Sequence, residues 1–217
     1  MSNINFEELR QKFYSGLICD VLDYFGYRNQ SLGAGFAPLD PDKVLFGRAY
    51  TVTAKTVQEM PKDALVNQCR SIEEVKPDDV YVLTCLDGCT AGIWGGIMST
   101  GVQVKKGAGA LIDGMLRDTK QIVEMGFPVM AKGHLPTTSK GRMEIVEWNV
   151  PIEIDGVKIN PGDLIFGDVD GVAVVPQEVE DKVIERCLHI LADENVVLDK
   201  VLAGESIVKT YLEIGAI

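Results

Sequence analysis

The rhythm of the middle of the chain constrains the fold more than any other feature. Three apolar runs, "VYVLTC", "GALI" and "PVMA", are separated by two segments of helical spacing, "GGIMSTGVQVKK" and "TKQIVEMG". Short apolar runs without polar alternation are what strands covered on both faces look like. Helices between them supply the crossover that parallel strands require, so the stretch predicts a parallel βαβ core. The flanks differ. "NFEELRQKF" and "SGLICDVLDYFG" read as two short helices, the second with Ser15 as N-cap, Leu17, Val21 and Phe25 on one face, and Gly26 as its stop. A Gly/Pro-rich loop leads to a strand-like "LFGRAYTVTA" and a helical "KDALVNQCRSIEEV". From Arg142 onward the pattern becomes hairpins, turning at Asp155-Gly156 and near Asp170-Gly171. A long helix from about Gln177 to Leu202 and a last segment, "SIVKTYLEIG", follow. With no repeat, low-complexity run or linker, residues 1–217 are expected to form one mixed α/β domain, with a central parallel βαβ section and C-terminal antiparallel hairpins.

Composition excludes some function classes. The formal charge of −11 and the scattered lysines and arginines argue against a nucleic-acid partner, which would need a clustered basic footprint. No apolar run is long enough to span a bilayer, so no membrane partner is expected. The N-terminal "MSNINFEELR" has no apolar run behind a basic start, so no signal peptide is expected. Five scattered cysteines, an odd number, fit free thiols in a reducing cytoplasm. Cys85 and Cys89 are four apart but have no second pair, and two histidines make zinc a weak reading.

Three constellations could carry chemistry. Arg117-Asp118 follows "GALIDGML" and precedes "TKQIVEMG". Asp118 and Gln121 have capping-box spacing, so one reading makes Asp118 a helix cap and Arg117 a solvated side chain. The other starts from the same place: the carboxyl end of a strand entering a helix is where α/β proteins bind ligands. There an Asp can hold a hard divalent cation and an Arg can fork onto a carboxylate. In "AGIWGGIMST", Gly95-Gly96 opens a helix and either exposes backbone N–H groups to a small anion or simply turns the chain. "GDVDGVAVVP" matches a phosphatase nucleophile motif only superficially, because too little chain remains after Val172; Asp168 and Asp170 read as turn residues. His134, after a strand and a glycine, reads as structural.

The order of six stretches, "SGLICDVLDYFG", "GRAYTV", "PDDVYVL", "GGIMSTGVQVKKGAGALIDGMLRD", "GFPVMAKG" and "VPIEIDGVKINPGDLIFGDVDGVAVVP", resembles the RraA-like family. That family includes class II 4-hydroxy-4-methyl-2-oxoglutarate aldolases and related oxaloacetate decarboxylases. The resemblance implies a swivelling β/β/α-type sandwich, assembled as a homotrimer or a dimer of trimers with active sites between subunits. It also implies Mg²⁺ or Mn²⁺ and a small 2-oxo acid substrate that reacts through a pyruvate enolate. Carried over by position, Asp118 would be the metal ligand, and Arg117 would hold the substrate carboxylate and enolate oxygen. The backbone N–H groups of Gly95, Gly96, Ile97 and Met98 would bind the pyruvyl carboxylate. Glu194, in "ADENVVLDKVLAGE", is the match for an acidic residue that a neighbouring subunit contributes to assist metal-bound water.

One position departs from the aldolase pattern. Those enzymes carry an acidic residue 21 positions before the Arg, where this chain has Gly96. Retro-aldol cleavage needs a base for the substrate hydroxyl and decarboxylation does not, so the departure favours decarboxylation. The expected function is therefore a metal-dependent carbon–carbon lyase of the class II aldolase or oxaloacetate decarboxylase type. The competing class is a non-catalytic regulator that binds and inhibits ribonuclease E, as some relatives of this family are described to do.

Overall fold

The computed structural model describes residues 5–215. The first four and last two positions of the expected 1–217 domain lie outside the described residues.

The chain opens with α1 (Phe6–Lys12) and α2 (Ser15–Tyr24). Asn5 caps α1 by accepting the Glu8 N–H at 3.2 Å, and acids at its start and bases at its end complement the helix dipole. Ser15 is not the N-cap of α2, as spacing suggested, but its first helical residue. Its N–H and hydroxyl both donate to Asp168, at 2.8 and 2.7 Å, so a carboxylate distant in sequence closes that helix end. Gly26 (φ +87°) stops the helix as expected, in the left-handed region that costs glycine least.

The strands and helices that follow are β1 (Ala37–Pro38), β2 (Leu45–Thr56), α3 (Val66–Glu73), β3 (Asp79–Cys85) and β4 (Gly92–Trp94). Next come α4 (Gly96–Val104), β5 (Gly109–Leu116), α5 (Thr119–Glu124) and β6 (Val129–His134). After β7 (Met143–Trp148) the chain makes two hairpins, β8 (Ile152–Ile154) with β9 (Val157–Ile159) and β10 (Leu164–Asp168) with β11 (Gly171–Val175). It ends in α6 (Glu180–Leu202) and α7 (Ile207–Ile214).

Among the described residues the main sheet runs β1-β6-β5-β3-β2-β10-β11, with β4 added to β5 and β7 to β2. β3, β5 and β6 are parallel, as the central rhythm predicted; β2 joins β3 in parallel, and the outer pairings of this section are antiparallel. The β8–β9 hairpin forms a separate two-stranded sheet. Val80, Tyr81, Val82 and Leu83 in β3 and Ala110, Leu111 and Ile112 in β5 are fully buried, because both faces of these strands are covered. One face packs α3, α4 and α5 through Ile72, Val102 and Ile122. The other carries the β8–β9 hairpin through Ile152, Ile154, Val157 and Ile159. A third apolar cluster seats α1, α2 and α6 on β10 and β11 around Phe46 and Phe166. Each such large side chain, fully buried, contributes about 1.5–3 kcal/mol.

β5 runs four residues past "GALI", through Asp113 and Gly114, which looked like a turn. Asp113 tolerates mid-strand placement because it is paired. It accepts the Thr84 hydroxyl at 2.6 Å and meets Lys132 Nζ at 2.8 Å. Lys132 also reaches Asp155 at 2.8 Å, in the β8–β9 turn, and lies over the Phe36 ring. Burial alone would lower the Lys132 pKa, but its bonds to Asp113 and Asp155 hold it above the ordinary lysine value. This ionic cluster fastens the small hairpin to the strands whose ends carry the candidate site. No helix among the described residues is long and apolar enough to cross a membrane.

Candidate active site

The site forms where β4, β5 and β6 end together. Trp94 in β4 pairs with Leu116 in β5, and Leu116 pairs with His134 in β6. The Arg117 N–H then donates to the Trp94 carbonyl at 2.9 Å, and the Leu135 N–H donates to the Leu116 carbonyl at 2.9 Å. Sheet hydrogen bonding therefore holds the backbone on both sides of Arg117. Trp94 itself is packed in place: it is buried, its ring lies tilted against Tyr81 with centroids 4.8 Å apart, and its indole N–H donates to Ser99 at 2.8 Å.

Asp118 occupies the N-cap position of α5 without capping it. Its backbone is left-handed (φ +60°, ψ +29°) and its side chain makes no cap hydrogen bond. The capping box with Gln121 suggested by spacing does not form. Asp is one of the few residues other than glycine that tolerates this conformation. The consequence is directional: Asp118 Oδ2 turns across to accept the Gly96 N–H of α4 at 3.1 Å, and Arg117 Nε lies 3.7 Å from the same oxygen. No hydrogen bond reaches Asp118 Oδ1 among the described residues. Arg117 and Asp118 side chains are each 40% exposed, so ligands can reach them.

The two glycines opposite are explained by contact rather than by turn conformation. Gly95 is extended (φ −165°), a geometry any residue adopts, but a Cβ there would stand 2.6 Å from Asp118 Oδ2 and 3.4 Å from Arg117 Cγ. At Gly96 a Cβ would stand 2.6 Å from Gln121 Cδ. The exposed Gln121 amide therefore fills the space that an acidic residue at position 96 would use. The nest expected from Gly95, Gly96, Ile97 and Met98 is smaller than the sequence suggested, because the Gly96 N–H is already given to Asp118. The Ile97 and Met98 N–H groups, at the start of α4, make no backbone or side-chain bond among the described residues.

Two hollows share Arg117 and Asp118 as their common wall. One, about 100 Å³, is bounded by Trp94, Gly95, Ile97, Met98 and Ser139. The other, about 280 Å³, is bounded by Leu116, Thr119, His134, Leu135 and Pro136. His134, which read as structural, is thus brought to the site by the register of β6 on β5, and its Nδ1 lies 3.3 Å from the Thr119 hydroxyl. Its place at the end of the strand that follows the helix after Arg117-Asp118 was the one signal available in the sequence. Glu194 shares neither hollow. It sits on α6 in a groove with Val197, Leu198, Val201 and Ile207, and accepts the Tyr14 hydroxyl at 2.8 Å. Burial, then this bond to Glu194, raises the Tyr14 pKa above the ordinary phenol value.

Asp118 is suited to a hard divalent cation. One carboxylate oxygen is free, the other is braced by Gly96, and bare glycine at position 95 leaves the approach open. Magnesium-type ions need no more protein than this, since waters and substrate oxygens complete their shell. Among the described residues, no three His, Cys, Asp or Glu side chains gather into an all-protein cage.

Comparison with known proteins agrees with this architecture. Residues 16–174 match the model of the RraA-like (Aldolase/RraA) family, and the chain belongs to that family. A protein of Halalkalibacterium halodurans provisionally named as 4-hydroxy-4-methyl-2-oxoglutarate aldolase is 34% identical over 200 residues, which cover 90% of this chain and 88% of that one. A crystal structure described among novel cellulases from gut-associated microbes superposes with a TM-score of 0.83 at 32% identity, covering 90% of this chain and 89% of that one. Streptomyces coelicolor RraAS2, described as an unusual member of the RNase ES inhibitor RraA family, superposes with a TM-score of 0.75 at 26% identity over 88% and 93% of the two chains.

Proposed function

We propose that the protein is a divalent-metal-dependent carbon–carbon lyase acting on 2-oxo acids through a pyruvate enolate. The reaction is oxaloacetate decarboxylation, retro-aldol cleavage of 4-hydroxy-4-methyl-2-oxoglutarate, or both. The observation that carries this reading is the left-handed Asp118, whose carboxylate leaves its own helix to meet Gly96 beside Arg117. Mg²⁺ or Mn²⁺, held by Asp118, would supply Lewis-acid polarisation of the 2-oxo acid. The chain's own groups do the rest. The Ile97 and Met98 N–H groups, at the positive end of α4, receive the pyruvyl carboxylate. Arg117, fixed at its backbone by Trp94, places positive charge where the enolate oxygen develops. Glu194 enters only from a neighbouring copy in a trimer or dimer of trimers, since within one chain it lies in a separate groove.

The named aldolase relative supports the lyase reading. Glycoside hydrolysis, suggested by one neighbour's description, would need two carboxyl groups flanking a bond, and among the described residues Asp118 is the one acid lining either hollow. The test is pyruvate release from oxaloacetate and from 4-hydroxy-4-methyl-2-oxoglutarate, with Mg²⁺ or Mn²⁺ and with EDTA. Metal-dependent release from either substrate is the expected result. Release from neither, under any metal, would favour a regulator that binds ribonuclease E, a reading in line with the RNase ES inhibitor family in which RraAS2 is described as an unusual member.

A further inference from the structure

The proposed reaction leaves one chemical need unmet. Retro-aldol cleavage must remove a proton from the hydroxyl on the carbon that departs, and Gly96 offers no acidic side chain for it. We propose that His134 is that base, and that the second hollow, lined by Leu116, Thr119, His134, Leu135 and Pro136, holds the leaving half of a 4-hydroxy-2-oxo acid. This inference rests on the lyase reading above.

Three observations carry it. Arg117 and Asp118 form a wall common to both hollows, so a substrate whose pyruvyl end meets the Ile97 and Met98 N–H groups on one side extends past them to the other. The larger hollow, about 280 Å³ against about 100 Å³, is the one with room for the leaving half. Among the described residues, His134 is the one side chain lining that hollow, besides Arg117 and Asp118, that carries a nitrogen able to serve as a base. Its orientation suits the task. In the tautomer whose Nδ1–H donates to Thr119 Oγ1, the Nε2 lone pair is the base, and the ring is held by a hydroxyl on the residue that follows Asp118. His134 is exposed, so a ligand can reach its ring.

The step balances without an external reagent. The C4 hydroxyl proton passes to Nε2, and the O–H electron pair becomes the new carbonyl bond of the leaving half. The C3–C4 bond breaks, and its electrons pass into the pyruvate enolate whose oxygen faces Arg117. The imidazolium then returns the proton to C3, giving the methyl group of pyruvate.

The experiment compares the two reactions in wild type, His134→Gln and His134→Ala, with far-UV circular dichroism as the check on folding. General-base assistance is typically worth about 10²–10⁴-fold, so the ratio of aldol cleavage to oxaloacetate decarboxylation should fall by that order in both variants. Added imidazole should restore cleavage in His134→Ala, a response that a merely structural histidine would not produce. An unchanged ratio, or equal losses in both reactions with no rescue, would overturn the assignment of His134. Wild type that decarboxylates oxaloacetate but cleaves no 4-hydroxy-2-oxo acid would also overturn it and leave the lyase reading standing. Wild type that does neither overturns both.

Discussion

Gly95→Ala isolates the Asp118 geometry with a single methyl group. The backbone at Gly95 is extended, so alanine carries no conformational penalty there, and any effect comes from contact. The added Cβ would stand 2.6 Å from Asp118 Oδ2, so the carboxylate must retreat by roughly 1 Å to reach ordinary van der Waals distance. That retreat breaks the 3.1 Å bond from the Gly96 N–H. A hydrogen bond to a charged group is worth about 1.5–3 kcal/mol, and the exposure of Asp118 puts the loss at the low end. Stability should therefore drop by about 1–2 kcal/mol, a modest fall in melting temperature. Activity should suffer more, because a displacement of about 1 Å at a catalytic group costs on the order of 10²-fold. The assay pairs thermal unfolding with metal-dependent pyruvate release at saturating Mg²⁺. A Gly95→Ala protein with wild-type turnover would refute the claim that the Asp118 position is what the bare glycine protects.

Three further outcomes follow from particular contacts. Gly96→Asp should shift the ratio of the two reactions from decarboxylation towards aldol cleavage, and more strongly when paired with Gln121→Ala, because the Gln121 amide occupies the space the new side chain needs; substrate-specific kinetics on both variants checks this. Lys132→Met should destabilise the protein by about 1–3 kcal/mol, since it leaves the partly buried Asp113 without its cation. The Lys132 pKa is raised in the folded state, so its contribution is complete below the ordinary lysine value of 10.5 and is lost only as pH rises beyond it. Denaturant unfolding of wild type and variant should therefore differ equally at pH 7 and pH 9. Light scattering should give a trimer or a dimer of trimers if Glu194 acts from a neighbouring copy; a fully active monomer would remove Glu194 from the site.

The parallel core was legible in the sequence because its strands are buried on both faces, which leaves unbroken apolar runs such as "VYVLTC". Gly26 and the turns at Asp155-Gly156 and Asp170-Gly171 were legible because local backbone conformation dictates their residue types. What tertiary pairing decides was not. β5 was cut short at Ile112, because nothing local reveals that Lys132 and Thr84 neutralise Asp113. β4 has three residues, too few to show a period, yet it holds Arg117 in place. Arg117 and Asp118 stand at the strand-to-helix junction that the sequence pattern singles out. The capping geometry inferred for Asp118 failed because a contact with α4, 22 residues earlier, outweighs the local cap. His134 reads as structural from the sequence, because only strand register, not sequence distance, brings it beside Arg117.

The central question is whether this chain forms a pyruvate enolate at Arg117 and Asp118. Proton NMR of pyruvate in deuterium oxide measures that without reference to the physiological substrate. Wild type with Mg²⁺ or Mn²⁺ should exchange the pyruvate methyl protons for deuterium, and EDTA, Asp118→Asn or Arg117→Ala should each suppress the exchange. Methyl signals that stay intact with wild-type protein and metal, or exchange that persists undiminished in Asp118→Asn, would contradict it.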